Sequence, residues 1–270
     1  MSERRPATPL RVFDSPDAIG EVLAPELLDR FARARDAGKS FLLGVPTGRT
    51  PRPIYEAMAN RLAETKQDLS HVILVMMDEY VVRSASGFEY APKDAPWSCH
   101  HSAQVEIAEL LNRDLPSGRQ IRTSAIWFPD PKDPSAYDER IARAGGVDFF
   151  LLASGATDGH VAFNPPGSAR NAQTRIIALS ESTRRDNLQT SPSFGSLDAV
   201  PTHGISVGIE TIASARKAAM VVWGESKALT LRRILSAEQY ESSWPATVIH
   251  ECGGGEILSD TAAAAKTKSQ

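Results

Sequence analysis

The stretch VDFFLLASGATDGHVAFNPPGS, Val147 to Ser168, opens on an apolar run that ends at Leu152. The run is too short for an ordinary helix. Gly145-Gly146 precede it and Ser154-Gly155 follow it, the pattern of a strand buried on both faces of a parallel sheet. In an open α/β sheet, the loop leaving a strand's carboxyl end is where ligands bind. Here that loop carries Asp158 and His160. A carboxylate so close to an imidazole can fix its tautomer and orientation, as a proton-transfer catalyst requires. A polar turn tied down by the same two side chains would show the same short motif, so the pair alone leaves both readings open.

Other segments repeat the pattern of buried strand and loop. Phe41–Val45 runs into Pro46-Thr47-Gly48-Arg49-Thr50-Pro51, and a helix follows from about Pro53 with Ile54, Met58 and Leu62 on one face. Free backbone N–H groups at such a helix start, with threonine hydroxyls beside them, can hold a phosphate. Thr and Gly also serve plain turn geometry there. His71–Met77 is another apolar strand and ends in Asp78-Glu79-Tyr80-Val81. Its two acids read either as a catalytic pair or as one catalytic group beside a structural ion-pair partner. Ala218–Val222 leads into Trp223-Gly224-Glu225-Ser226-Lys227.

Nearer the start, Leu10–Phe13 reads as a short edge strand. Ser15-Pro16 is a helix start, and Ile19, Val22, Leu23, Leu27, Leu28 and Phe31 recur at helical spacing up to Gly38. Arg83–Ser102 reads as irregular, Val105–Leu111 and Tyr137–Ala144 as helices, and Trp127–Asp133 as a loop. Strands and helices alternate without an internal repeat or linker. The expectation is an α/β fold over residues 10–260: a Rossmann-like, open, mainly parallel twisted sheet with helices on both faces. Residues 1–9 and 261–270 read as flexible ends.

Composition narrows the function classes. Hydrophobic residues at 41% and charged residues at 23% give an ordinary globular chain with enough apolar material for a core. A net charge of −3 leaves no footprint for nucleic acid. Two cysteines, Cys99 and Cys252, make neither a disulfide framework nor zinc-site spacing, and Cys99-His100-His101 has no matching ligand set elsewhere, so no metal is expected. No long apolar run and no secretory pattern at Met1–Leu10 point to a cytoplasmic protein without a membrane partner.

The loop SGATDGHVAFNPPGS resembles the signature loop of the glucosamine-6-phosphate deaminase family, part of the larger sugar-phosphate isomerase and lactonase group. Pro46–Pro51 is similar to that family's phosphate loop, with Arg49 where members carry a small residue. Met77–Val81 (MDEYV) resembles another of its motifs. Thr174–Ile176, Ser182–Arg184, Gly204–Ile212 and Trp223–Ala228 continue the likeness in family order. The resemblance implies that Asp78 moves a proton between sugar carbons, that His160, assisted by Asp158, shuttles the ring-oxygen proton, and that Thr47, Gly48, Arg49, Thr50 and Lys227 hold the phosphate. Glu79, Asn164, Gly167, Ser168, Arg175 and Gln189 are further candidates.

The implied ligand is a small-molecule sugar phosphate, no cofactor is needed, and a homo-oligomer is within the family's range. Two departures stand out. Pro165 occupies the place of a family glutamate that completes the relay around the histidine, and proline can neither accept a proton nor orient an imidazole. Gln189 stands where deaminases carry an arginine for the phosphate, and an amide cannot replace a bidentate guanidinium. Arg49 could supply that charge from the opposite side. Three functions remain in view: an amino-sugar-phosphate deaminase or isomerase, a sugar-lactone hydrolase of the 6-phosphogluconolactonase kind, and a non-catalytic sugar-phosphate binder.

Overall fold

The computed structural model describes residues 7–265. In chain order its strands are β1 (Leu10–Phe13), β2 (Phe41–Val45), β3 (Val72–Met76), β4 (Asp78–Ser84), β5 (Gly87–Tyr90), β6 (Ile126–Trp127), β7 (Phe149–Leu152), β8 (Arg175–Ala178), β9 (His203–Ser206), β10 (Ala218–Val222) and β11 (Glu256–Asp260). Seven of them form a parallel sheet in the order β1-β11-β10-β7-β2-β3-β6, with β7 at its centre.

The α-helices are α1 (Pro16–Asp36), α2 (Arg52–Thr65), α3 (Cys99–His101), α4 (Leu110–Asn112), α5 (Ser135–Arg143), α6 (Glu181–Thr190), α7 (Ile209–Ala213), α8 (Ala228–Ser236) and α9 (Thr261–Ala264). Ser15 caps α1 through a bond from the Ala18 amide, with Pro16 in the first turn as the sequence pattern requires. No helix among the described residues is long and apolar enough to cross a membrane.

Strand alternation sorts the core onto two faces. Phe149 and Leu151 of β7 pack with the inward residues of α1 and α2, such as Leu23, Leu27 and Met58. Phe150 and Leu152 pack on the other face with Tyr137 and Ile141 of α5, Ile209 of α7 and Leu231 of α8. Gly44 allows the centre to close. A Cβ there would lie 1.9 Å from the Phe150 ring, so only glycine lets the phenyl group lie across the neighbouring strand.

The structure corrects the sequence reading in several places. A second, antiparallel sheet, β5-β4-β9-β8, accompanies the parallel one, and part of the segment read as irregular after Arg83 is its β4–β5 hairpin. These strands are short and half polar, and apart from that hairpin their pairing is non-local. Asp78 lies opposite Ser206, and Ser206 opposite Arg175. Tyr80, Phe163, Phe194 and Val200 form a separate apolar cluster there, with Trp97 against it. Trp127, read as the start of a loop, forms with Ile126 the two-residue edge strand β6.

The helix expected around Val105–Leu111 is present, but Ser102–Glu109 within it is wound as a π-helix. Of the C-terminal segment expected to be flexible, Thr261–Ala264 is helical. The Asp260 carboxylate accepts from the Ala263 amide, and Ala263 and Ala264 are buried. The remaining tail, 266–270, lies outside the described residues, as does 1–6 of the N-terminal segment.

Candidate active site

The carboxyl ends of β2, β3, β7 and β10 converge on a cavity of about 390 Å³, the place that parallel-sheet topology reserves for a ligand. On one side stands the β2–α2 loop, with Thr47, Gly48, Arg49 and Thr50 in the cavity wall. Gly48 has φ +86°, a left-handed conformation that other residues rarely adopt. Both ends of the loop are pinned. The Tyr55 hydroxyl donates to the Pro46 carbonyl at 2.9 Å, and the Trp223 indole N–H donates to the Thr50 carbonyl at 3.0 Å.

Lys227, at the turn after β10, enters the same cavity and its ammonium donates to the Ser154 carbonyl. Burial lowers its pKa from the usual lysine range, the Asp186 and Asp158 carboxylates oppose that, and the Arg49 cation adds to the lowering. Cationic groups and hydroxyls thus meet at one end of the cavity. Gln189 also lines it, from α6.

Asp78 and Glu79 separate cleanly. Successive residues on a strand face opposite ways, and β4 begins at Asp78. Asp78 therefore faces the cavity, where the Cys99 thiol donates to Oδ1 at 3.4 Å. Burial pushes the Asp78 carboxyl up to about 7; the Cys99 bond opposes that, the Glu79 carboxylate adds to it, and His160 works against it. Burial also drives the Cys99 thiol well above its usual range, so it stays protonated and acts as a donor.

Glu79 turns away from the cavity and is fully buried. Its Oε1 accepts from the Tyr80 and Cys99 amides at 2.7 and 3.1 Å. Its Oε2 accepts from the Ser98 hydroxyl at 2.8 Å, and from the His100 amide and ring Nδ1 at 2.7 and 2.6 Å. It anchors the start of α3 and holds no position on the substrate side. His100 is stacked on Phe128 with ring centroids 3.6 Å apart. Cys99 and His100 of the Cys-His-His run are therefore engaged within the fold.

Across the cavity, His160 Nδ1 lies 2.6 Å from Asp158 Oδ1, which also accepts the His160 amide at 3.1 Å. Asp158 Oδ2 accepts from Ser182 Oγ at 3.0 Å and Thr183 Oγ1 at 3.1 Å. Burial would raise this carboxyl, but the hydrogen bond and charge of His160 and the Ser182 hydroxyl outweigh it and hold the group well below the ordinary carboxylate range. An ionised carboxylate only accepts, so Nδ1 carries the proton and Nε2 is left without one. Gly155 makes room for the pair. A Cβ there would fall 2.3 Å from His160 Nδ1 and 2.7 Å from Asp158 Oδ1, although the backbone itself does not demand glycine.

Several sequence candidates lie behind the cavity rather than in its wall. Asn164 is fully buried; its amide donates to the Val161 and Val207 carbonyls, and its oxygen accepts from Arg175 at 2.9 Å. Arg175 also reaches Ser168 Oγ at 3.2 Å, and the Gly167 amide donates to the Ser242 carbonyl. These residues fix the loop that presents His160. Pro165 does not line the cavity either.

Sequence reading did not place Cys99 and Asp186 in the cavity wall, nor Ser182 and Thr183 against Asp158. Among the described residues, Asp158, His160 and Asp186 are the set whose potential metal-ligand atoms all lie within 4.8 Å of one another. Asp158 and His160 are already hydrogen-bonded to each other at 2.6 Å.

The model of a family described as glucosamine-6-phosphate isomerases/6-phosphogluconolactonase matches residues 14–258. A glucosamine-6-phosphate deaminase of Rhodococcus jostii is 35% identical, with 94% of this chain and 91% of that protein covered. One from Streptomyces avermitilis is 34% identical, with 96% and 93% covered. Among solved structures, a monomeric glucosamine-6-phosphate deaminase shares the fold at TM-score 0.79 and 24% identity, over 95% of this chain and 99% of that one. A 6-phosphogluconolactonase from Leishmania guyanensis shares it at TM-score 0.68 and 17% identity, over 97% and 100%. The α/β architecture, the order of the loops around the cavity and the match along most of the chain agree: this protein belongs to the family of glucosamine-6-phosphate isomerases and 6-phosphogluconolactonases.

Proposed function

We propose that the protein is an amino-sugar-phosphate isomerase and deaminase, converting glucosamine 6-phosphate and water to fructose 6-phosphate and ammonia. The observation that carries this reading is the pairing of two proton-transfer groups on one cavity. Asp78 has a carboxyl poised near neutrality, and His160 has a tautomer fixed by Asp158. A base with a pKa near the working pH suits abstraction of a proton next to a carbonyl or iminium.

The steps follow from the placement. Thr47, Gly48, Thr50 and Lys227 hold the phosphate, with Arg49 adding charge. His160 Nε2 takes the proton of the anomeric hydroxyl and returns it to the ring oxygen, opening the ring. Asp78 removes the C2 proton and delivers it to C1. Water then adds at C2 and ammonia leaves. Relatives 30–35% identical over most of the chain are glucosamine-6-phosphate deaminases, which supports the same substrate. A sugar phosphate does not cross a bilayer unaided, so this reading puts the protein in the cytoplasm, where sugars are phosphorylated.

Ammonia release and fructose 6-phosphate formation from glucosamine 6-phosphate test the proposal, with Asp78→Asn as the control. Turnover by the native protein that disappears in the variant supports it. Binding of the sugar phosphate without turnover by the native protein would sink it.

A further inference from the structure

We propose that Asp186 is the second carboxylate of the His160 proton shuttle, presented by α6 together with the hydroxyls that hold Asp158. The inference rests on the reading of the cavity as a sugar-phosphate isomerising site. It begins with the face of α6 (Glu181–Thr190). Ser182 and Thr183, in the first turn, bond Asp158 Oδ2. One turn further on, three and four residues away and so on the same face, stands Asp186. A further turn brings Gln189 and Thr190, which line the cavity.

The carboxylate oxygens of Asp158 and Asp186 and a ring nitrogen of His160 all lie within 4.8 Å of one another. The two acids nevertheless differ in placement. Asp158 is held behind the imidazole and does not line the cavity, whereas Asp186 lines it beside His160. Thr157 Oγ1 donates to Asp186 Oδ2 at 3.1 Å, and among the described residues no donor engages the other oxygen. The Asp186 carboxylate is therefore anchored, near the imidazole and open to the ligand. Pro165, in the loop of His160, has no group that could take this place.

The chemistry gives such a carboxylate a task. His160 becomes an imidazolium when it takes the proton of the anomeric hydroxyl, and returns to neutral when it protonates the ring oxygen; no atom is gained or lost by the protein. Asp158 steadies the imidazolium from behind. Asp186 adds negative charge on the cavity side, where the proton is exchanged, and its open oxygen can accept from the 2-amino group, the substituent next to the reacting hydroxyl. Lys227 is the competing partner, since its ammonium also feels the Asp186 carboxylate. If Asp186 served Lys227 instead, it would temper phosphate binding and leave the proton steps alone.

Steady-state kinetics of Asp186→Asn and Asp186→Glu on glucosamine 6-phosphate separate these roles, with circular dichroism confirming that both variants fold. The shuttle role predicts a kcat lowered about 100-fold in Asp186→Asn, the lower end of what a proton-transfer group contributes, and a KM changed by less than about threefold. Asp186→Glu keeps the charge and recovers most of the loss. Sodium formate, a free carboxylate, raises the kcat of Asp186→Ala. A lower KM with unchanged kcat in Asp186→Asn would overturn the inference and assign the carboxylate to Lys227. Unchanged kinetics would overturn it too. A native protein that turns over no aldose phosphate overturns the functional reading and this inference together, so the two failures are told apart by the native enzyme alone.

Discussion

Replacing Asp78 by asparagine should stabilise the protein above neutral pH while it abolishes turnover. An ordinary carboxyl titrates near 3.9, whereas Asp78 is pushed up to about 7 by burial in the cavity wall. Between those values the folded chain holds a proton that the unfolded chain has released, so stability falls as pH rises through the interval. Below about pH 4 both states are protonated and the group costs nothing. Above about pH 7 both are ionised, and the full cost of burying the charge is present.

Roughly three pH units at ~1.36 kcal/mol each give about 4 kcal/mol as a ceiling, which cavity water reduces. Asparagine has nearly the same shape, carries no charge and still accepts from the Cys99 thiol. The assay is urea unfolding of both proteins from pH 4.5 to 8.5 at fixed ionic strength. The stability of Asp78→Asn relative to the native protein should climb with pH by at least about 1 kcal/mol and level off near pH 8. A flat difference, or a variant less stable at pH 8.5, would refute the claim that folding forces this carboxyl toward neutrality.

Other perturbations follow from the same contacts. Cys99→Ala removes a hydrogen bond that lowers the Asp78 pKa, so the acidic limb of the kcat/KM profile should move to higher pH, while Cys99→Ser, which keeps a donor, should not raise it. Glu79→Ala strips the partner from several buried donors around α3, and should lower stability in urea unfolding by about 3–5 kcal/mol. Lys227→Ala removes a charged hydrogen-bond donor worth about 1.5–3 kcal/mol. KM for the sugar phosphate should rise about 10- to 100-fold with kcat little changed, and an unaltered KM would remove the lysine from the phosphate site.

Much of the site was legible because its segments are local. Phe149–Leu152 announces itself as a buried strand, and Asp158 and His160 follow within one loop. The threonine loop before α2 is likewise continuous in the chain. What stayed hidden depends on distant pairing. The second sheet joins Asp78 to Ser206 and Ser206 to Arg175, and no local pattern in its short, half-polar strands reveals those partners.

The division of labour between Asp78 and Glu79 was in principle readable, since neighbours on a strand face opposite ways. It required knowing that a new strand starts at Asp78 rather than that an old one ends there. Asp186 could be found only once α6 was seen to lie against the Asp158 loop. The π-wound turn at Ser102–Glu109 left no signal that we can identify in its sequence.

Gly155 has an implication for how such a protein can change over generations. Its missing side chain is the space that Asp158 and His160 occupy together. Any other residue there would push that pair apart, yet His160 borders an open cavity into which it can swing, so the chain would still fold. A screen for soluble expression and a screen for turnover would therefore disagree at this position. Once a lineage accepted such a replacement, nothing would hold Asp158 or His160 in place against drift, and recovery would then require several simultaneous reversions. An unremarkable glycine acts here as a one-way door between catalysis and mere folding.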